Sequence, residues 1–279
     1  MEGLIDIKEE EFRHISQLVY QRFGINLTEK KKVLVRGRLN KLLHQLGYTD
    51  FQSYYEDITK DPSGYGLLQL VDRISTNHTF FFRENDHFDF LKNRVLPGIE
   101  RMLEDQKNRD IRVWCAGCAT GEEAYTLAIV LAEYFGPDFF TLGPPILATD
   151  ISTTALEKAM LGMYGAERLT QLPKTMLQKY FIPNEAGGFT VKDSLRKLVV
   201  YKRLNFKRDS FPFKGKFHTI FCRNVMIYFD QPTKEELVSK FSRYLVDGGH
   251  FFIGHSESLG RTNANFQYVQ PAVYMKKNG

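Results

Sequence analysis

The stretch Val113-Trp-Cys-Ala-Gly-Cys-Ala-Thr-Gly-Glu-Glu123 and the apolar run behind it decide the fold. Residues 111–115 read as a buried strand, a glycine-bearing turn breaks it, and an apolar helix is predicted from Glu122 to about Phe135. A second strand is predicted over 145–148, ending at Thr149-Asp150, with a helix from Thr154 onward. A strand running through a glycine turn into a helix lets the backbone approach a bound ligand closely. An acid at the carboxyl end of the next strand, here Asp150, can accept both hydroxyls of an adenosine ribose. Together they indicate an adenosine-containing ligand. The loop carries only Gly117 and Gly121 and is not G-x-G-x-x-G, which disfavours a nicotinamide dinucleotide.

Working outward, strands are predicted at 198–201, 218–222, 250–253 and 269–275. This alternation with helices implies an open, mostly parallel sheet. The stretch 162–196 breaks it with turn residues Gly165, Gly187 and Gly188 and a short alternating run, and reads as an inserted subdomain of small antiparallel strands. Upstream the pattern is helical. Asp6 with Glu9 forms a capping box before Phe12, Ile15, Val19 and Phe23. Thr28 caps a second helix that carries Leu34, Leu39, Leu42, Leu43 and Leu46 and stops at Gly47, Asp50 opens a third with Phe51, Tyr54, Tyr55 and Ile58 inward, and a fourth spans about 67–74. The domains expected are 1–75 (helical), 76–92 (linker) and 93–279 (α/β).

Two look-alike motifs fail. Trp114-Cys115-Ala-Gly-Cys118 has redox spacing, but Glu122 and Glu123 at the first turn of the following helix oppose a low thiol pKa. Gly254-His-Ser256-Glu-Ser258 lacks the closing glycine of a nucleophile elbow, and no histidine follows Ser256 to complete a hydrolase triad. Beyond Cys115 and Cys118 no His or Cys pair has zinc spacing, so no metal is expected. Three cysteines, no apolar run of membrane-spanning length and an acidic start without a signal-peptide pattern point to the cytoplasm. A net charge of +5 allows an acidic partner without naming it.

Two further segments complete a set: Asn77-His-Thr79-Phe-Phe-Phe-Arg83 between the halves, and Phe221-Cys-Arg-Asn-Val-Met-Ile-Tyr-Phe229 at a late strand end. The chain resembles the chemotaxis receptor methyltransferase family (CheR), glutamate O-methyltransferases that use S-adenosylmethionine (SAM) and release S-adenosylhomocysteine. The resemblance spans nearly the whole chain, through T-N-x-T-x-F-F-R, A-T-G-E-E, T-D-I, C-R-N-V-M-I-Y-F and G-H-S-E. It implies a Rossmann-like SAM-dependent methyltransferase domain with an inserted β-subdomain, behind a small all-helical domain.

By the same resemblance the cofactor touches Asn77, Thr79 and Arg83. Glu123 faces the methionine end, Asp150 holds the ribose, Asn205 and Phe206 border the adenine, and Arg223 and Asn224 line the floor. Tyr228 lies at the methyl-transfer end with Arg83 nearby, and these two are the catalytic candidates. Position 80 is Phe, where relatives can have a smaller residue. The substrate implied is the cytoplasmic helical region of methyl-accepting receptors. The basic helix over about 29–46, with Lys30, Lys31, Lys32, Arg36, Arg38 and Lys41, is expected to contact it. Some relatives dock a receptor tail peptide on the β-subdomain, an alternative left open here. A nucleic-acid methyltransferase is the first rival reading, but Asn224-Val-Met-Ile lacks the prolines of amino-directed DNA enzymes, so no nucleic acid is expected. A non-catalytic SAM- or receptor-binding module is the second; intact Arg83 and Tyr228 speak against it.

Overall fold

The computed structural model describes residues 4–107, 110–136, 143–260 and 263–278. The N-terminal bundle contains α1 (Glu9–Phe23), a 3-10 turn (Glu29–Lys31), α2 (Lys32–Leu46), α3 (Phe51–Lys60) and α4 (Tyr65–Ile74). Its core joins Phe12, Ile15, Val19, Val35, Leu39, Leu43, Phe51, Tyr54 and Val71. The helix starts depart from expectation. The capping box at α1 uses the Lys8 amide, which donates to the Glu11 carboxylate at 2.7 Å. Asp6 is unavailable because it accepts Arg36 of α2 at 2.9 Å, and Glu9 is taken by Lys32. Thr28 makes no side-chain cap, since a 3-10 turn precedes α2. Asp50 does cap α3, accepting the Ser53 amide at 2.8 Å, and Gly47 closes α2 at φ 80°. Leu34 and Leu46 are exposed, 42% and 44%, because α2 buries Val35, Leu39, Leu42 and Leu43 instead.

α5 (Asp86–Phe90), a π turn (Leu91–Val95) and α6 (Leu96–Asp105) run on as one helical rod that begins inside the stretch read as linker. The α/β part follows in order: β1 (Val113–Ala116), α7 (Glu122–Phe135), β2 (Ile146–Asp150), α8 (Thr153–Leu161), β3 (Met163–Tyr164), α9 (Lys174–Tyr180), β4 (Phe181–Pro183), β5 (Phe189–Val191), α10 (Asp193–Arg196), β6 (Val199–Arg203), β7 (Phe217–Cys222), α11 (Gln231–Tyr244), β8 (Leu245–Ile253), β9 (Phe266–Gln270) and β10 (Val273–Lys276). The main sheet has the order β6-β2-β1-β7-β8-β10-β9, parallel through β8. β3, β5 and β4 form the expected antiparallel insert. The strand expected at 269–275 is instead a hairpin. Pro271 cannot donate to a ladder and Ala272 sits at φ 60°, so the chain reverses there.

β1 shows how the sheet is covered on both faces. Val113 and Cys115 join the core under α6 and α7, whereas Trp114 enters the aromatic cluster of Phe206, Phe211, Phe217 and Phe241. Chain order reverses between β1 and β7, and an open α/β sheet leaves a crevice at the carboxyl ends of such a pair. The helical bundle lies against that end. Ile25 bridges Phe229, the Asn26 amide donates to the Tyr228 carbonyl at 2.8 Å, and the Asn205 amide nitrogen donates to the Arg22 carbonyl at 2.8 Å. Among the described residues, no helix is long and apolar enough to cross a membrane.

Candidate functional site

A cavity of about 340 Å³ opens over that crevice, within the size range of small-ligand sites. All ten site residues expected from the sequence line it: Asn77, Thr79, Arg83, Glu123, Asp150, Asn205, Phe206, Arg223, Asn224 and Tyr228. Phe23 and Ile25 of the helical bundle, and Ile74 at its end, join them. The cavity therefore belongs to both parts of the chain.

The loop after β1 is held by its neighbour strand. The amides of Gly117 and Cys118 both donate to the Thr149 carbonyl, at 2.7 and 2.9 Å. Gly117 has φ +89°, and an added Cβ would stand 2.4 Å from Val225 Cγ2, so only glycine fits. Asp150 accepts the Ala119 amide on Oδ2 at 2.8 Å and the Ser152 amide on Oδ1 at 2.9 Å. Burial raises its pKa, and these amides pull the other way. Each carboxylate oxygen keeps acceptor capacity for a further donor.

Across the cavity, Arg223 is only 4% exposed and carries two carboxylates. Nη1 donates to Glu123 at 2.9 Å and Nη2 to Glu84 at 3.0 Å, and Nη2 also donates to the Arg83 carbonyl. The guanidinium lies over the Phe88 ring at 5.2 Å. Burial raises the Glu123 pKa against the pull of Arg223. For Glu84 burial also pushes upward, but Arg223 and Asn224 bring the net shift below the usual value. Arg83 sits between Phe82 and Glu84, both at positive φ, 56° and 55°. Its Nη1 donates to the His78 carbonyl at 2.8 Å, and its guanidinium lies 5.8 Å from the Phe80 ring, so Phe80 packs directly on a candidate site residue. Thr79 is buried and its carbonyl accepts Arg168 at 2.9 Å.

The loop after β7 is gripped by one acid. Glu257 accepts the amides of Asn224 (2.9 Å), Gly254 (2.6 Å) and Ile227 (3.1 Å), which holds Asn224 at φ 58° and begins the 3-10 turn carrying Tyr228. Asn224 Nδ2 donates to Glu84 at 3.3 Å. Asn205 lines the cavity but spends its side-chain amide on the helical bundle, at Arg22. Phe206 meets Trp114 edge-on at 6.2 Å.

Glu84 and Glu257 were not anticipated from the sequence. Glu257 organises the site through three backbone amides and Glu84 through Arg223 and Asn224, and neither falls at a spacing that announces a ligand; in the run Gly254-His-Ser-Glu the local pattern marks the serine, not the glutamate. The thiols behave as expected. Burial pushes Cys115 and Cys118 well up, reinforced by Glu123 at Cys115 and by Asp150 at Cys118. Neither is a ready thiolate.

Comparison with known proteins gives a consistent result. The family model described as the CheR methyltransferase SAM binding domain matches residues 77–275, and that of the CheR methyltransferase all-alpha domain matches residues 10–75. A chemotaxis protein methyltransferase of Borreliella burgdorferi is 44% identical over 272 residues, covering 98% of this chain and 96% of that one. Chemotaxis protein methyltransferase 2 of Pseudomonas aeruginosa is 36% identical, covering 95% and 92%. The chemotaxis protein methyltransferase of Escherichia coli is also 36% identical, covering 96% and 91%.

Proposed function

The chain belongs to the CheR methyltransferase family, and from that premise we propose how its cavity carries out the SAM-dependent methylation of glutamate carboxylates on chemotaxis receptors. When bound, SAM would supply a sulfonium methyl group to an already ionised carboxylate, the carbon–oxygen bond of the ester forming as the carbon–sulfur bond breaks and S-adenosylhomocysteine leaves, so the chain needs no general base. Its residues are left to bind, align and exclude water.

The observation that carries this reading is the pattern of charge around one cavity. Asp150 stands at one side with its carboxylate oriented by two amides, suited to a ribose. Glu123 and Arg83 offer opposite charges at the other side, suited to the ammonium and carboxylate of a methionine moiety. The apolar wall of Ile25, Ile74, Leu204 and Phe206 suits a flat heterocycle. Arg223 acts indirectly, setting Glu123 and the Arg83 backbone. Tyr228 donates its hydroxyl to the acceptor carboxylate. The receptor's glutamate-bearing helices, in the cytoplasm, dock on the exposed side of α2.

The test is transfer of labelled methyl from SAM to receptor-bearing membranes by the full-length chain. Label released by mild base identifies an ester. Base-stable label, or none, would overturn the reading.

A further inference from the structure

The geometry points to Lys31 as the cation that receives the acceptor carboxylate beside Tyr228. This rests on the reading of the cavity given above and adds a residue from the helical bundle to its substrate end. Lys31 Nζ lies 5.7 Å from the Tyr228 ring centroid, and Tyr228 lines the cavity. The segment just before Lys31 is fastened along the same edge: Ile25 bridges Phe229, and the Asn26 amide donates to the Tyr228 carbonyl. Lys31 Nζ in turn donates to the Asn26 carbonyl at 2.9 Å. Backbone and side chain thus hold the ammonium in register with Tyr228.

The charge itself has no counterpart. An ammonium offers three donors, and here a backbone carbonyl takes one while the tyrosine ring covers another side. Among the described residues no carboxylate pairs with Lys31, although its neighbours are matched: Lys32 with Glu9 and Arg36 with Asp6. The other cations at the cavity are committed as well. Arg223 is shared by Glu84 and Glu123, and Arg83, 4.0 Å from the Glu84 carboxylate, is the cation proposed above for the methionine carboxylate. Half-buried, Lys31 suffers desolvation that lowers its pKa, a cost that an arriving carboxylate relieves. A glutamate side chain accepting from the Tyr228 hydroxyl would come within the field of Lys31 and satisfy both groups. Attraction of this kind fixes where the nucleophile sits without touching the cofactor.

A merely structural role, clamping the bundle to the loop after β7, predicts something different. Loss of that clamp would disturb SAM binding, because Phe23, Ile25 and Tyr228 all line the cavity. The experiment uses the full-length chain, labelled SAM and membranes carrying one chemoreceptor of the source organism, with SAM affinity measured separately by calorimetry. Lys31→Gln is expected to raise KM for receptor by about tenfold or more, with kcat changed less and SAM affinity unchanged. Lys31→Arg, which keeps the charge over the ring, is expected to stay within about threefold of the parent KM. An unchanged KM in Lys31→Gln would overturn the assignment. So would a parallel loss of SAM affinity, or an Arg variant as impaired as the Gln variant, since both would mark a clamp. If the parent itself yields no base-labile ester, the glutamate reading fails first and takes this inference with it.

Discussion

Asp150 does two jobs with one side chain. It pins the loop after β1 through the Ala119 amide, and it faces the cavity where a ribose is proposed. Asp150→Ala should weaken SAM by roughly 1.5–3 kcal/mol, as loss of hydrogen bonds to a charged group does. Calorimetric titration reads this, and unchanged affinity would remove the residue from the cofactor site. Tyr228 calls for a finer cut. Tyr228→Phe keeps the ring under Lys31 and removes only the hydroxyl. Turnover should fall while SAM affinity stays within a few-fold of the parent; normal turnover would show that the hydroxyl takes no part. The two residues differed in how they could be read. Asp150 announces itself through its place at a strand end after a glycine turn, a local pattern. Tyr228 carries no local pattern of its own and was reached only through resemblance.

At the scale of elements, α2 separates charge that is spent from charge that is free. Arg36 pairs with Asp6, and Arg38 donates to the Ile74 carbonyl and to Thr76, which itself lines the cavity. The expected basic face therefore shrinks, and the helix is not remote from the cofactor site. Among what remains exposed on α2 and the turn before it is a stripe at helical spacing: Lys30, Val33, Leu34, Gly37 and Lys41. An apolar centre flanked by lysines suits an acidic helical surface better than a uniformly charged face would. Replacing Lys30 and Lys41 together by Glu should slow receptor methylation most at low ionic strength, because such attraction acts on encounter and is screened by salt. SAM affinity should not move, since neither residue touches the cavity. Initial rates across a salt series decide it, and equal rates at every concentration would return the stripe to ordinary surface. The charges were legible in the sequence. Which of them were already paired was not, because their partners lie on other segments.

Over the whole molecule, buried titrating groups set the response to acid. His87 is fully buried, and burial, with Arg223 nearby, lowers its pKa to about 4, against the opposing pull of Asp86 and Glu84. Burial also lowers His250 to about 4. As pH falls from about 6.5 toward 4, the unfolded chain gains protons that the folded one refuses, so stability is lost across that window, by up to about 3 kcal/mol for His87. Asp150, Glu123 and Glu257, raised by burial, contribute the opposite slope. On acidification through this range His87→Leu should lose less melting temperature than the parent, because the contribution of His87 is removed while those of His250 and the buried acids remain. Scanning calorimetry against pH checks this; parallel curves would exonerate His87. By itself the sequence determined the alternation of strands and helices, the glycine turn, the strand-end acid and the inserted subdomain, because each is written in neighbouring residues that share one element. Only the tertiary structure decided the Arg223 pairs with Glu84 and Glu123, the Glu257 grip on the loop after β7, and the meeting of Lys31 with Tyr228. Those contacts join residues far apart in the chain, and packing the bundle against the sheet's carboxyl edge is what brings them within reach.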